Sequence, residues 1–137
     1  FITCLETIEH VGNIEQTLDN ILGMVAPGGH VLISVPIEIA FWGIIKFLAK
    51  VIVFRYDLDE LVSDDWKLKA KYFLSLITYQ DISKYRKPRG GYVTHFGFDY
   101  RQIDRILKER DVSWSRTNYF TTAYYLIAES TSSDPLF

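Results

Sequence analysis

Cysteine is nearly absent from this sequence. Cys4 stands alone among 137 residues, so no disulfide can form within the chain. With only His10, His30 and His95 scattered along it, no cysteine–histidine zinc spacing exists either. An excess of charge of one sign is also missing. Fifteen Lys and Arg against seventeen Asp and Glu leave a formal charge of -2, without the clustered basic surplus that nucleic-acid binding normally needs. No nucleic-acid partner is expected. There is no internal repeat, no low-complexity linker and no charged-then-apolar leader. A reducing, cytoplasmic setting is the expectation. Long hydrophobic runs are limited to one, Ile37 to Phe54, "IEIAFWGIIKFLAKVIVF". It is short for a bilayer span, which takes about 20 residues, and it carries Lys46 and Lys50.

What is present is apolar and aromatic. At 48% hydrophobic and 15% aromatic, the chain is long enough for one domain with a real core and too short for two. The expected unit is a single domain over residues 1–137. Phe1 to Leu5 reads as a strand that breaks off into Glu6, Thr7, Glu9 and His10. Asn13, with Gln16 three residues on, opens a helix from Ile14 to Val25 whose apolar face is Ile14, Leu18, Ile21, Leu22 and Val25. "APGGHVLISVP" ends that helix and begins a second strand over His30 to Val35. Strand, helix, glycine turn and strand make a βαβ unit. Both strands are apolar throughout, which predicts a parallel sheet covered on both faces.

The Ile37 to Phe54 run carries Lys46 and Lys50 on one face. The remaining apolar surface suits either a lid over a cleft or a peripheral contact with a membrane. Helical spacing continues through Asp57 to Tyr79, with a break expected near Ser63 to Asp65. Residues 37–80 therefore read as a helical insertion. Pro88, Gly90 and Gly91 mark a loop. After it Asp99 and Gln102 open a helix with Ile103, Ile106 and Leu107 on its face, and two strands follow at Val112 to Ser115 and Tyr119 to Ala128. The tryptophans, Trp42, Trp66 and Trp114, are expected in the core.

"CLETIEHV", the helix after it, "APGGHVLISVP" and "HFGFDYRQI" together resemble the carboxyl-terminal half of a class I S-adenosylmethionine (SAM)-dependent methyltransferase. Closest is the Glu-x-x-Glu-His-Val subgroup that includes quinone-biosynthesis O-methyltransferases. The resemblance covers Phe1 to Val35 closely and Thr94 to Glu129 loosely. It implies an α/β, Rossmann-like sheet of seven strands. Phe1 to Leu5 would be the fourth strand, His30 to Val35 the fifth, Val112 to Ser115 the sixth and Tyr119 to Ala128 an antiparallel seventh; the inserted helical lid between them is particular to this sequence. The family's Gly-rich turn after strand one has no counterpart here. By the same resemblance the sequence is part of a longer enzyme that transfers a methyl group from SAM to a small-molecule acceptor; the apolar Ile37 to Phe54 run and the basic run from Lys84 to Arg89 point to a lipophilic one.

The resemblance sets Cys4, Leu5 and Glu6 beside SAM, although Cys4 also fits a small core residue. Glu9 and His10 follow on a tight turn where a carboxylate and an imidazole can act as a base. Glu6, Glu9 and His10 would also suit a hard cation, and Glu9 and His10 alternatively serve to hold the turn. No dedicated metal site is assigned. His95, in "THFGFDY", is the other candidate base, against a packed role among aromatics. Lys84, Arg86, Lys87 and Arg89 form a basic run that reads as an anion contact or as a solvated loop. The alternative to an enzyme is a non-catalytic methyltransferase-like module that binds a partner or a membrane through Ile37 to Phe54.

Overall fold

A computed structural model describes residues 1–49, 66–86 and 97–129. The first strand, β1 (Ile2–Leu5), is followed by a 3-10 turn at Ile8–His10 and by helix α1 (Ile14–Gly23). Asn13 caps that helix by accepting from the Gln16 amide at 3.0 Å. The reciprocal half of a capping box is absent, because the Gln16 side chain donates to Asn20 instead. Strand β2 (His30–Pro36) then lies parallel to β1, pairing Ile2 with Val31 and Leu5 with Ser34.

Helices α2 (Ala40–Leu48) and α3 (Trp66–Ile77) pack together through Phe47, whose ring lies 5.7 Å from Tyr72 and 5.5 Å from Phe73. Gly43 permits the close approach: a Cβ there would collide with the Glu38 carbonyl and lie 3.1 Å from Leu76 Cδ2. Lys46 reaches back to Glu38 at 2.9 Å. Lys50, the expected break at Ser63 to Asp65, and the rest of the run to Phe54 lie outside the described residues. Among the described residues, no helix is long and apolar enough to cross a membrane.

Helix α4 (Arg101–Lys108) begins one residue after Tyr100. Asp99 still closes its first turn, accepting from the Arg101 amide at 3.0 Å and pairing with the Arg101 guanidinium. Strands β3 (Val112–Tyr119) and β4 (Thr122–Glu129) form a hairpin, and the sheet order is β1-β2-β4-β3 with β4 antiparallel to both neighbours. The first strand of the hairpin is longer than expected. Arg116, Thr117 and Asn118 are polar yet pair with Tyr125, Tyr124 and Ala123, and Tyr119 belongs to β3 rather than opening β4. The turn at Phe120 and Thr121 gives no glycine signal, because Phe120 itself takes φ 50°.

One face of the sheet carries the core. Ile2 and Cys4, Val31, Ile33 and Val35, and Ala123, Tyr125 and Ile127 pack with Leu18 and Ile21 of α1 and with Ile103 and Leu107 of α4. On the other face, Thr3 and Leu5 of β1 and Tyr124 and Leu126 of β4 stand exposed among the described residues, whereas Ser34 and Pro36 of the central β2 are buried. Trp66 departs from expectation as well: it is 71% exposed at the start of α3, while Trp114 packs against the core.

Candidate functional site

The end of β1 is fixed by an exchange of hydrogen bonds across the sheet. Glu6 donates its amide to Ser34 O at 3.0 Å and to Ser34 Oγ at 3.2 Å, and the Ser34 hydroxyl donates to Glu6 Oε1 at 3.1 Å. Glu6 adopts φ 46°, the left-handed region that non-glycine residues seldom occupy. These bonds hold it there, and the strand turns sharply into the 3-10 turn. Thr7 Oγ1 donates to Leu5 O at 2.8 Å on the same corner.

The turn is narrow. His10 N donates to Thr7 O at 3.0 Å and Val11 N to Ile8 O at 3.3 Å, with no side-chain cap at Thr7. Ile8 is driven inward as a core residue, and Glu9 goes with it to full burial, 0% exposed. Neither Glu9 carboxylate oxygen has a hydrogen-bond partner among the described residues. An orphaned buried carboxylate is costly in native proteins and points to a role beyond packing. Burial raises the Glu9 pKa, and the Glu6 charge adds to that. Its own backbone amide, His10 and Arg86 pull the other way. His10 Nε2 lies 3.8 Å from Glu9 Oε1, with the imidazole partly open to solvent. The Cys4 thiol is pushed up by burial, opposed by the Thr7 hydroxyl and reinforced by the Glu9 charge.

The structure therefore gathers Cys4, Glu6, Glu9 and His10 around one corner. Leu5 faces the opposite side of the sheet from Cys4 and is exposed. His95 lies outside the described residues. Among the described residues, no group of three His, Cys, Asp or Glu is arranged to hold a metal ion.

Two residues of the corner escaped the sequence reading. Ser34 sits inside an apolar strand, where its hydroxyl was the only hint of a polar partner. Arg86 was counted with the basic run, yet it turns inward: its guanidinium donates to Glu9 O and, at 3.3 Å, to Val11 O, and lies 5.6 Å from the Phe98 ring centroid. A solvated-loop description does not fit this residue. Beside the corner, a cavity of about 670 Å³ is lined by Gly12, Asn13, Ser83, Arg86, Gln102 and Arg105 among others.

A strand that ends in a polar corner, a helix, a second parallel strand and an antiparallel final strand are features shared by known methyltransferase folds. No match was found among curated proteins, and none among solved structures. The family model described as "Methyltransferase domain" matches residues 1–112. That match spans most of the sequence, and the chain belongs to the methyltransferase-domain family.

Proposed function

We propose that the chain supplies the acceptor-facing part of a SAM-dependent methyltransferase that acts on a small, lipophilic acceptor. The observation that carries this reading is the strand order β1-β2-β4-β3 with β4 antiparallel, together with the polar corner at the carboxyl end of β1. In a seven-stranded methyltransferase sheet these strands correspond to the fourth, fifth, seventh and sixth. Ligands of open α/β sheets gather at the carboxyl ends of the parallel strands. Residues 1–137 are read as a single partial domain, with 37–80 as a helical insertion that covers the site.

The residues present fit one flank of SAM. Exposed Leu5 offers an apolar surface, the Glu6 carboxylate an acceptor for ammonium or hydroxyl donors, and buried Glu9, whose oxygens have no hydrogen-bond partner among the described residues, complements positive charge. The paired glycines Gly28 and Gly29 lie in the turn before β2, not between a strand and a helix. When bound, SAM supplies an electrophilic methyl group, and displacement at that carbon needs proximity, dryness and a place for the acceptor's proton. His10 takes that proton and Glu9, 3.8 Å away, stabilises the imidazolium. Cys4 and Ile8 exclude water behind them. His95 is retained as the second candidate base.

Calorimetry of SAM with the full-length protein beside residues 1–137 tests this. Binding by the full-length protein and little by residues 1–137 is the expected result; binding by neither removes the cofactor and the reading with it. One observation favours a second reading, a partner- or membrane-interaction module: Phe41 of α2 and Phe120 at the hairpin turn are 66% and 69% exposed, and Trp42 lies between them, 5.5 Å and 6.4 Å from their rings. Under that reading, Phe41→Ser with Phe120→Ser abolishes sedimentation with phospholipid vesicles. Under the enzyme reading the same pair leaves SAM affinity unchanged.

A further inference from the structure

The 3-10 turn bearing Glu9 and His10 cannot hold itself. A single turn gains few hydrogen bonds for the dihedral angles it fixes, and this one has no side-chain cap. Its outward carbonyls, at Glu9 and Val11, are met by one group from more than seventy positions along the chain, the Arg86 guanidinium. Arg86 is itself firmly seated. It follows a second 3-10 turn, Ser83–Tyr85, whose Tyr85 is buried with its hydroxyl 3.0 Å from Ser75 Oγ. Gly97, at φ 74°, passes so close that a Cβ there would lie 2.8 Å from the Arg86 amide nitrogen. The guanidinium carbon lies over the Phe98 ring, 5.6 Å from its centroid.

We propose that Arg86 is a positioning residue: by bonding the carbonyls on either side of His10, it fixes the orientation of the Glu9–His10 turn. Its significance for catalysis rests on the methyl-transfer reading of that turn, whereas the positioning role stands on the contacts alone. The Arg86 Nε is buried without a hydrogen-bond partner among the described residues, as are both Glu9 oxygens. Burial lowers the Arg86 pKa, and the Glu9 charge opposes that shift only in part. Both bonds leave from Nη2, whose two N–H groups each meet one carbonyl.

The test is amide hydrogen exchange in the full-length protein, comparing wild type with Arg86→Met and Arg86→Lys. The His10 and Val11 amides, bonded within the turn, are expected to lose at least tenfold protection in Arg86→Met, while the Val31 and Ile33 amides of β2 keep theirs. Arg86→Lys is expected to restore part of the loss. Should Arg86→Met fail to fold, Arg86→Lys is read on the same amides, with a smaller loss confined to the turn expected. Unchanged protection at His10 and Val11 overturns the proposal. Equal loss in the turn and in β2 also overturns it, because Arg86 then only adds general stability. S-adenosylhomocysteine binding measured on the same samples separates the two ideas: if wild type does not bind it, the methyl-transfer reading fails while the exchange result still decides the role of Arg86.

Discussion

The Ser34 hydroxyl donates to Glu6 Oε1 at 3.1 Å while the Glu6 amide donates back to Ser34 O and Oγ, at 3.0 and 3.2 Å. This reciprocal pair joins the carboxyl ends of β1 and β2 and holds Glu6 in a left-handed conformation. Ser34→Ala removes the side-chain half. We expect a loss of about 0.5–1.5 kcal/mol in urea unfolding, the usual net worth of a hydrogen bond whose acceptor stays open to water, together with weaker cofactor binding. A loss of stability with unchanged binding would confine the pair to structure.

Glu9 gives a pH prediction. Burial raises its folded-state pKa, so the unfolded chain ionises first as pH rises. Glu9 favours folding below its unfolded pKa, near 4.3, and this contribution is lost progressively as pH rises through the folded pKa. Glu9→Gln removes that dependence. The Tm of the variant minus that of wild type should therefore grow between about pH 4 and neutrality. A difference that is flat with pH would mean that Glu9 does not carry the burial penalty.

Tyr125 ties the sheet to α4. Its hydroxyl, buried between β4 and the helix, donates to Tyr100 O and Asp104 Oδ1, each at 2.9 Å. Tyr125→Phe removes this link but leaves Tyr100 O its Ile103 amide and Asp104 its Arg116 partner, so it is expected to cost about 0.5–1.5 kcal/mol in denaturant unfolding. Burial and the neighbouring Asp104 also push the Tyr125 hydroxyl pKa up, and burial with the Tyr79 hydroxyl pushes Tyr100 up to about 12. Spectrophotometric titration should accordingly show these two phenols ionising after the exposed ones.

The one-sided packing of β4 is tested by adjacent residues. Ile127 is fully buried and Leu126 is 43% exposed. Ile127→Ala should cost about 2–5 kcal/mol, while Leu126→Ala should cost about 1 kcal/mol. Equal costs in urea unfolding would mean that the second face of the sheet is covered as well.

Phe120 is large and aromatic, yet it sits at φ 50° on an exposed hairpin turn. The left-handed conformation costs an ordinary residue about 1–2 kcal/mol, more than an exposed ring contact with Trp42 returns, about 0.5 kcal/mol. Phe120→Asn should therefore raise the Tm. A lower Tm would show that the Trp42–Phe120 contact outweighs the backbone strain.

Much of the framework could be read from short stretches. Asn13 and the spacing of Ile14, Leu18 and Ile21 located α1 to within two residues at its end, and "HVLISV" located β2 to within one. Asp99 and the Ile103–Leu107 face located α4. The hairpin was less legible, since the exposed half of β3 carries Arg116, Thr117 and Asn118, and its turn uses a phenylalanine where glycine or asparagine would signal it. Of the corner, Glu6, Glu9 and His10 were legible because they break an apolar run. Ser34 and Arg86 were not, because nothing local distinguishes a serine or an arginine that will turn inward to a distant partner.

The sequence by itself determined which segments become helix and strand, since caps, glycine turns and apolar periodicity act over a few residues. Only the tertiary structure decided that Glu9 is buried without a hydrogen-bond partner among the described residues, that Arg86 reaches its turn, and that Leu5, Tyr124 and Leu126 stand exposed while Ser34 between them is buried. Each of these follows from surfaces brought together across tens of residues, where burial and hydrogen bonding are settled by the neighbours that arrive and not by the residue's own type.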